Sequence, residues 1–471
     1  LTAGREYEFN RLIRRASDAG KDIEVVFRDG VYADVRLQII KQGLDTSSIY
    51  LLSPGADAAG HTTLVAGKPY HYGSYKQCNQ QQLNCRVQPE DFAEGPRASH
   101  ALILRAEHPR QAVFDGAGFQ RDNPDLEDTA LVIGGAYAGV VNSGQQEVHS
   151  EPIKNVTVSG LVFRHHRNGI LVQHGLGITV DNCLVEDIGT HRIKAQDDQV
   201  VGVSGFSANS DSQLVLVRDT TILNVWNLQG PTQTSQDWPG LMHSVYNGDS
   251  RDIIFLNNTF QGSSGPMLKF GYYPIIRSGQ LIYQYPADTW ARRGFFIGNQ
   301  FVLASLTEGG RPQPVYVAQQ AFILDNSEKE INGVPTPPAK GMLFINNLFR
   351  NALPDTAKST VAFLRKEMPI KGSQPSFPDF HFAGNRSEGV PTAQWVVHRD
   401  RGTAMAVSSN QRDDPIKVNE TLIDLLRPTD GPVDPDKVLA ALLQGPLRSP
   451  DPERDALVSR VIRSGHLPRV R

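Results

Sequence analysis

What most limits the folds open to this chain is a short phrase that keeps returning. Between residues 199 and 301 the sequence spells VVGVSGFS, SQLVLVRDTTI, LMHSVYNG, RDIIFLNNTF, PMLKFGYY and GFFIGNQF. Outside that stretch come NVTVSGLVF (155–163), GITVDNCLV (177–185), GMLFINNLF (341–349) and DFHFAGNRS (379–387). Each is a strand-length apolar run, a small or amide residue at a bend, and another apolar residue, with no helix-length period between them. A unit this short cannot bury its own apolar face. It becomes stable only when successive copies stack, which is the logic of a solenoid.

These phrases resemble the coils of a right-handed parallel β-helix of the pectate-lyase-like superfamily, in which three short strands make one turn. Gly160 to Asn182 is 22 positions, close to one minimal coil of that family, and the bend is expected to recur at Asp219, Asn258, Asn299, Asn347 and Asn385, at gaps of 37 to 48. The larger gaps imply one coil plus long loops. The resemblance covers roughly residues 98–400 and implies an all-β fold, while the scaffold itself carries lyases, hydrolases, esterases, epimerases and adhesins.

The expected organisation has three parts. Residues 1–34 hold an amphipathic capping helix over 5–19, stopped by Gly20, and a first rung. Residues 35–405 form the β-helix with long loops, and residues 406–471 carry helical spacing and read as a tail packed on the last rungs. With 471 residues, 39% of them hydrophobic, the chain can fill one long core. A net charge of −3 gives no reason to expect nucleic acid, and no apolar run approaches the roughly 18–20 residues that span a bilayer. Leu1 is not an initiator Met, so the chain is expected to start at a mature or trimmed end. Cys78 and Cys85 bracket the polar loop CNQQQLNC and are read as a disulfide, which implies a periplasmic or secreted protein, with two free thiols as the alternative. Cys183 reads as a small core residue.

The chemistry is expected on the strand stack bordered by the longest loops: LVQHG, VGVSGF, HSVYNG, MLKFGYY, AFILDN and AFLRKE. Tyr246 and Lys269 are 23 positions apart, about one coil, which places them on neighbouring rungs of one face. Leu268 and Phe270 point inward and leave Lys269 outward. His243 falls on the inward face of Val245 by strict alternation, so a groove role for it requires a bend at the strand start. Arg277, Arg292 and Arg293 are read in the loop leaving the Lys269 strand. Trp226, Trp238 and Trp290 lie among the loops, where aromatic rings suit sugar faces. Arg192, Lys194 and Arg365 complete the substrate-binding set.

Tyr, Lys, Arg and His together suit β-elimination from a uronic acid polymer, which needs a cation on the carboxylate, a base for the C5 proton and an acid for the leaving oxygen. Lys269 or Arg277 would neutralise or abstract, and Tyr246 or His243 would serve as base or acid. This is similar to the lysine-plus-arginine arrangement of chondroitinase B-like and alginate-lyase members of the superfamily. The expected partner is therefore an acidic polysaccharide. Alternatives are a glycoside hydrolase using the pair Asp197 and Asp198, a C5-epimerase, or a non-catalytic polysaccharide-binding or export factor. Asp197 and Asp198 also offer oxygens to calcium, the one cofactor the sequence suggests; no cofactor is otherwise required. The fragments RIK and QDD are similar to polygalacturonase motifs but stand in the wrong order. The histidines of FRHHRNG and His174 read as polar turns, since adjacent residues of a strand point to opposite faces. The sugar, the mode of cleavage and the oligomeric state stay open at this point.

Overall fold

The computed structural model describes residues 22–40, 101–117, 129–134, 149–190, 203–209, 212–227, 242–248, 250–270, 292–305 and 340–352, shorter strand segments up to residue 405, and a few helical residues near either end. The chain winds as a right-handed parallel β-helix. Its first coil is Ile23–Phe27, Gly30–Ala33 and Leu37–Ile40, and each later coil adds one strand to each of three sheets of nine, nine and ten strands. All pairings along these stacks are parallel until the last, where Ala404–Met405 returns antiparallel to Val396–His398.

Apolar columns explain why the coils stack in one register. Phe255, Phe296 and Phe344 occupy paired positions in the first sheet, with ring centroids 5.3 and 4.8 Å apart and planes 5° and 11° from parallel. Phe260 stacks on Phe301 in the second sheet at 5.3 Å. A one-residue slip would turn each of these rings to the outer face, so the register is strongly specified.

The corner between the first and second sheets is a tight turn repeated from coil to coil. Gly160, Asn182, Asp219, Asn257, Gly298 and Asn346 all have left-handed φ between 47° and 67° there. Gly, Asn and Asp are the residues that adopt it at least cost. The next position carries a hydrogen-bonded ladder. Asn258 Nδ2 donates to Asn299 Oδ1 (3.0 Å), Asn299 Nδ2 to Asn347 Oδ1 (3.1 Å), and Asn347 Nδ2 to Asn385 Oδ1 (2.9 Å). Upstream, Thr220 and Cys183 hold the equivalent places. The bend series expected from sequence therefore mixes two adjacent columns: Gly160, Asn182 and Asp219 belong to the left-handed one, and the four asparagines belong to the ladder.

A longer tie joins coils that are not neighbours. The Arg110 guanidinium donates to the carbonyls of Asn182 (3.3 Å), Cys183 (3.4 Å) and Asp219 (3.1 Å), and to Thr221 Oγ1 (3.4 Å). Cys183 is fully buried, and burial pushes its thiol up to about 12, as expected for a core residue.

At the N-terminal end Leu12, Ile13 and Arg15 are helical, Ile13 packs into the core, and Gly20 stops the turn at φ 70°. Near the other end Lys437 and residues 440–442 are helical, with Leu442 buried. Among the described residues no helix is long and apolar enough to cross a membrane. Cys78 and Cys85 lie outside the described residues.

Candidate functional site

The six strands named from sequence as the functional stack all belong to the third sheet: Asn168–Gln173, Val203–Asn209, Met242–Asn247, Leu268–Phe270, Gln320–Leu324 and Ala362–Lys366. Between the first and second sheets the chain turns in a few residues. Around the third it runs 12 to 21 residues from Thr190 to Val203, from Asn227 to Met242, from Phe270 to Arg292 and from Leu303 to Gln320. The third sheet is thus the wall beside which most of the intervening chain enters and leaves.

Two columns on this sheet decide what it presents. Ile170, Phe206, Val245 and Leu268 are register partners, each no more than 1% exposed, and all belong to the core. One residue on, Leu171, Ser207, Tyr246 and Lys269 form the neighbouring column, continued by Ile323 and Arg365. Tyr246 and Lys269 are direct partners on adjacent strands, which stand about 4.8 Å apart. Arg365 stands two strands beyond Lys269 in that column. The expected open wall is corrected in one respect. Tyr246 is half-buried, but Lys269 is only 7% exposed.

His243 illustrates a departure from simple alternation. Met242 and Val245 both belong to the core although they are three residues apart, which a regular strand forbids. The strand is irregular between them, and the irregularity lays the His243 ring beside Tyr246, centroids 6.0 Å apart and planes 25° from parallel. The bend that a groove role for His243 requires is present.

The protonation of that ring follows from its partners. Nδ1 lies 2.7 Å from the carbonyl oxygen of Pro266, which can only accept, so Nδ1 carries the proton and Nε2 the lone pair. The ring is 2% exposed, and Nε2 has no hydrogen-bond partner among the described residues. Burial above all, and then the positive charge of Lys269, hold the imidazole down to about 3, despite the opposing pull of the Pro266 hydrogen bond. His243 is therefore neutral at ordinary pH.

The remaining residues expected at the site fall as follows. Arg277 lies in a small antiparallel hairpin, Ile275–Arg277 with Gln280–Tyr283, that follows the Lys269 strand. Arg292 and Arg293 are not in that loop. They begin the first-sheet strand Arg292–Ile297, where Arg292 pairs in register with Arg251 and Lys340, and Arg293 forms a two-point ion pair with Asp252 (2.6 and 2.7 Å). Trp226 is likewise not an exposed loop ring. It lies in the second-sheet strand Thr221–Asn227 and is 2% exposed. Arg192, Lys194, Asp197, Asp198, Trp238 and Trp290 lie outside the described residues.

A second polar cluster, not anticipated as a unit, occupies the corner between the second and third sheets. His165 Nδ1 lies 2.8 Å from Asp115 Oδ1, its Nε2 3.8 Å from Asp187 Oδ2, and Arg164 donates to Asp115 Oδ2 at 2.8 Å. The Asp115 hydrogen bond raises the pKa of His165 against the effect of burial. Burial alone would raise Asp115, but the hydrogen bonds from His165 and the Ala117 amide, with Arg164, hold it well below the usual carboxylate range. His165, Asp187 and Asn224 share left-handed φ, so this is another repeated corner, tied by charge. The signal in the sequence was the phrase FRHHRNG; its partners 50 positions back and 22 ahead could be found only by coiling the chain.

Among the described residues, the one group of three histidine, cysteine or carboxylate side chains whose ligand atoms all lie within 4.8 Å of one another is Asp29, Glu107 and His108, all exposed, at the first-to-second-sheet corner of the first two coils. It is on a different side of the coil from Lys269, and His108 is already engaged with Asp29 at 2.8 Å.

No family model matches the chain, and no curated protein matches it either. Solved structures similar to it include an alginate lyase from a Paenibacillus strain, 9% identical, with a TM-score of 0.40 over 83% of this chain and 95% of that one. Another is the surface adhesin PfbA of Streptococcus pneumoniae, 8% identical, with a TM-score of 0.36 over 87% and 94%. A third is the A-module of a mannuronan C-5 epimerase of Azotobacter vinelandii, 10% identical, with a TM-score of 0.29 over 86% and 94%. With identities near one residue in ten and TM-scores well short of a full match, the likeness adds nothing to the coil that the strand register already establishes.

Proposed function

We propose that the protein is a lyase that cleaves an acidic, uronic-acid-containing polysaccharide by β-elimination on the third-sheet wall. The observation that supports this most is the register pairing of Tyr246 with Lys269, with the neutral His243 ring laid beside Tyr246. The reaction needs three things within a few ångströms: a cation for the sugar carboxylate, a base for the C5 proton and an acid for the oxygen at C4. Lys269, only 7% exposed, supplies the cation. Tyr246 and His243 supply the proton-transfer pair. Arg365, two strands along the same column, supports a polymer lying across successive coils. A polymeric acidic substrate in turn implies a protein that works in the periplasm or outside the cell.

The test is incubation of the purified protein with alginate, pectate and glycosaminoglycans, following the ultraviolet absorbance of the unsaturated uronate and the appearance of reducing ends together. Both signals rising in step support elimination. Reducing ends without the absorbance would replace this reading with hydrolysis, and binding with neither would replace it with a non-catalytic role.

A further inference from the structure

Along the coil, acidic side chains are met by an arginine on the neighbouring turn: Glu24 by Arg105, Asp181 by Arg218, Asp252 by Arg293 and Glu388 by Arg350. The corner between the first and second sheets of the first two coils departs from this. Asp29 and Glu107 stand there on successive coils, and among the described residues no lysine or arginine pairs with either. Like charges so placed oppose each other unless a cation joins them. What lies between them is the His108 ring, with Nδ1 2.8 Å from Asp29 Oδ2. One ligand atom from each of the three side chains falls within 4.8 Å of the other two, and all three side chains are exposed. The backbone holds the two turns in place. The Glu107 N–H donates to the Phe27 carbonyl (2.7 Å) and the Gly30 N–H to the Gln111 carbonyl (2.9 Å), while the strands on either side pair in register.

We propose that Asp29, Glu107 and His108 bind a divalent transition-metal cation of the Zn²⁺ class, and that the ion staples the first coil to the second. Two atoms bound to one such ion at about 2.0–2.2 Å stand about 3–3.5 Å apart. The His108–Asp29 contact is already near that spacing, and the exposed Glu107 side chain closes the rest by rotating about its own bonds. On binding, the imidazole proton moves to Nε2, which leaves the Nδ1 lone pair for the ion. One imidazole nitrogen and two carboxylates suit a borderline cation; calcium instead gathers six to eight oxygens. Three protein ligands leave the fourth position of a tetrahedron to water. The ion neutralises the two carboxylates and ties Asp29 to a residue 79 positions later, at the end of the solenoid where a coil has a neighbour on one side only. The site is independent of the lyase reading, since it lies on a different side of the coil from Lys269.

The experiment titrates the purified full chain, first stripped with a chelator, with Zn²⁺, Mn²⁺ and Ca²⁺ in turn by calorimetry. Asp29→Asn, Glu107→Gln and His108→Gln are run beside it; the three side chains are exposed, so these variants keep the fold. Other histidines of the chain can also take Zn²⁺, so the ion is located separately. Mn²⁺ is added to histidine-labelled protein, and broadening of the His108 imidazole signal is read by NMR, the signal being assigned by its loss in His108→Gln. The expected result is a Zn²⁺ site whose affinity falls about tenfold or more in each variant, with weaker binding of Ca²⁺ and selective broadening at His108. The urea midpoint should rise with Zn²⁺ concentration in the wild type and not in His108→Gln. Zn²⁺ binding that is absent, or equal in the wild type and all three variants, overturns the proposal. So does Ca²⁺ binding as tight as that of Zn²⁺, broadening that spares His108, or a midpoint that rises equally in His108→Gln.

Discussion

Replacing Asn299 by alanine tests the ladder that keeps the coils in step. Asn299 is fully buried and makes four side-chain hydrogen bonds. Its Oδ1 accepts from the Asn258 amide (2.9 Å) and Asn258 Nδ2 (3.0 Å), and its Nδ2 donates to the Phe255 carbonyl (2.9 Å) and Asn347 Oδ1 (3.1 Å). Two of the four partners keep a substitute, since Asn258 Nδ2 still reaches the Val217 carbonyl at 2.8 Å and Asn347 Oδ1 still receives the Asn299 amide at 2.9 Å. The other two, the Asn258 N–H and the Phe255 carbonyl, lose these bonds in a dry interior. At about 1–3 kcal/mol for each buried group left unsatisfied, Asn299→Ala should cost about 2–6 kcal/mol. The half-buried last member, Asn385, makes comparable bonds where water can replace them, so Asn385→Ala should cost about 1 kcal/mol. Asn299→Asp keeps the volume and both acceptances but cannot donate, and it should also be destabilising. The assay is urea unfolding followed by circular dichroism and fluorescence, with coincident transitions required before a free energy is assigned. An Asn299→Ala loss no larger than that of Asn385→Ala, or a neutral Asn299→Asp, would refute the account of the ladder as a buried, directional hydrogen-bond chain.

At the proposed site, Lys269→Met should lower kcat about 10²–10³-fold and Tyr246→Phe by a similar factor, with unfolding temperatures near wild type, read from unsaturated-uronate formation. Equal turnover in Lys269→Met would remove the assignment. The His165 corner gives a pH signature. The folded pKa of His165 is raised, so its stabilisation is complete below about 6.5, its ordinary unfolded value, and is lost as pH climbs through the higher folded value. The unfolding-temperature difference between wild type and His165→Asn should therefore be largest in weak acid and shrink in alkali; a difference that grows with pH contradicts the ion pair. Two glycines separate backbone strain from collision. At Gly30, φ is 139° but nothing lies within 4 Å of an added Cβ, so Gly30→Ala should cost about 1–3 kcal/mol. At Gly189, φ is 141° and that atom would fall 1.6 Å from the Trp226 carbonyl, so Gly189→Ala should not yield folded protein, as judged by soluble expression and circular dichroism.

The coil was legible because its signal is repetition, and repetition survives the loss of all other context. The spacing of Tyr246 and Lys269 was legible for the same reason: one coil without a long insertion separates them, so counting sufficed. What counting could not supply was anything set by a bend. His243 faces Tyr246 because Met242 and Val245 both turn inward, and a strict period of two hides that. The bend column shifts by one residue along the series because Asn serves two purposes at this corner, left-handed backbone at Asn182 and Asn257 and ladder hydrogen bonds at Asn258 and Asn299. The polar neighbours of Trp226 and Arg292 in sequence suggest loops, whereas the sheets claim both. The burial of Lys269 was beyond reach for a simpler reason: alternation gives the face of a side chain, and not what lies over that face.

Arg110 gives the coil a property that a simple stack lacks. Contacts between adjacent turns alone would let turns peel away singly from the N-terminal end, each at its own small cost. Its guanidinium grips main-chain oxygens contributed 72, 73 and 109 residues later, so these early turns must come loose together or not at all. During synthesis the same grip cannot close until more than a hundred further residues have emerged, which makes it a late fastening on an end that has been waiting, half secured, for the rest of the chain.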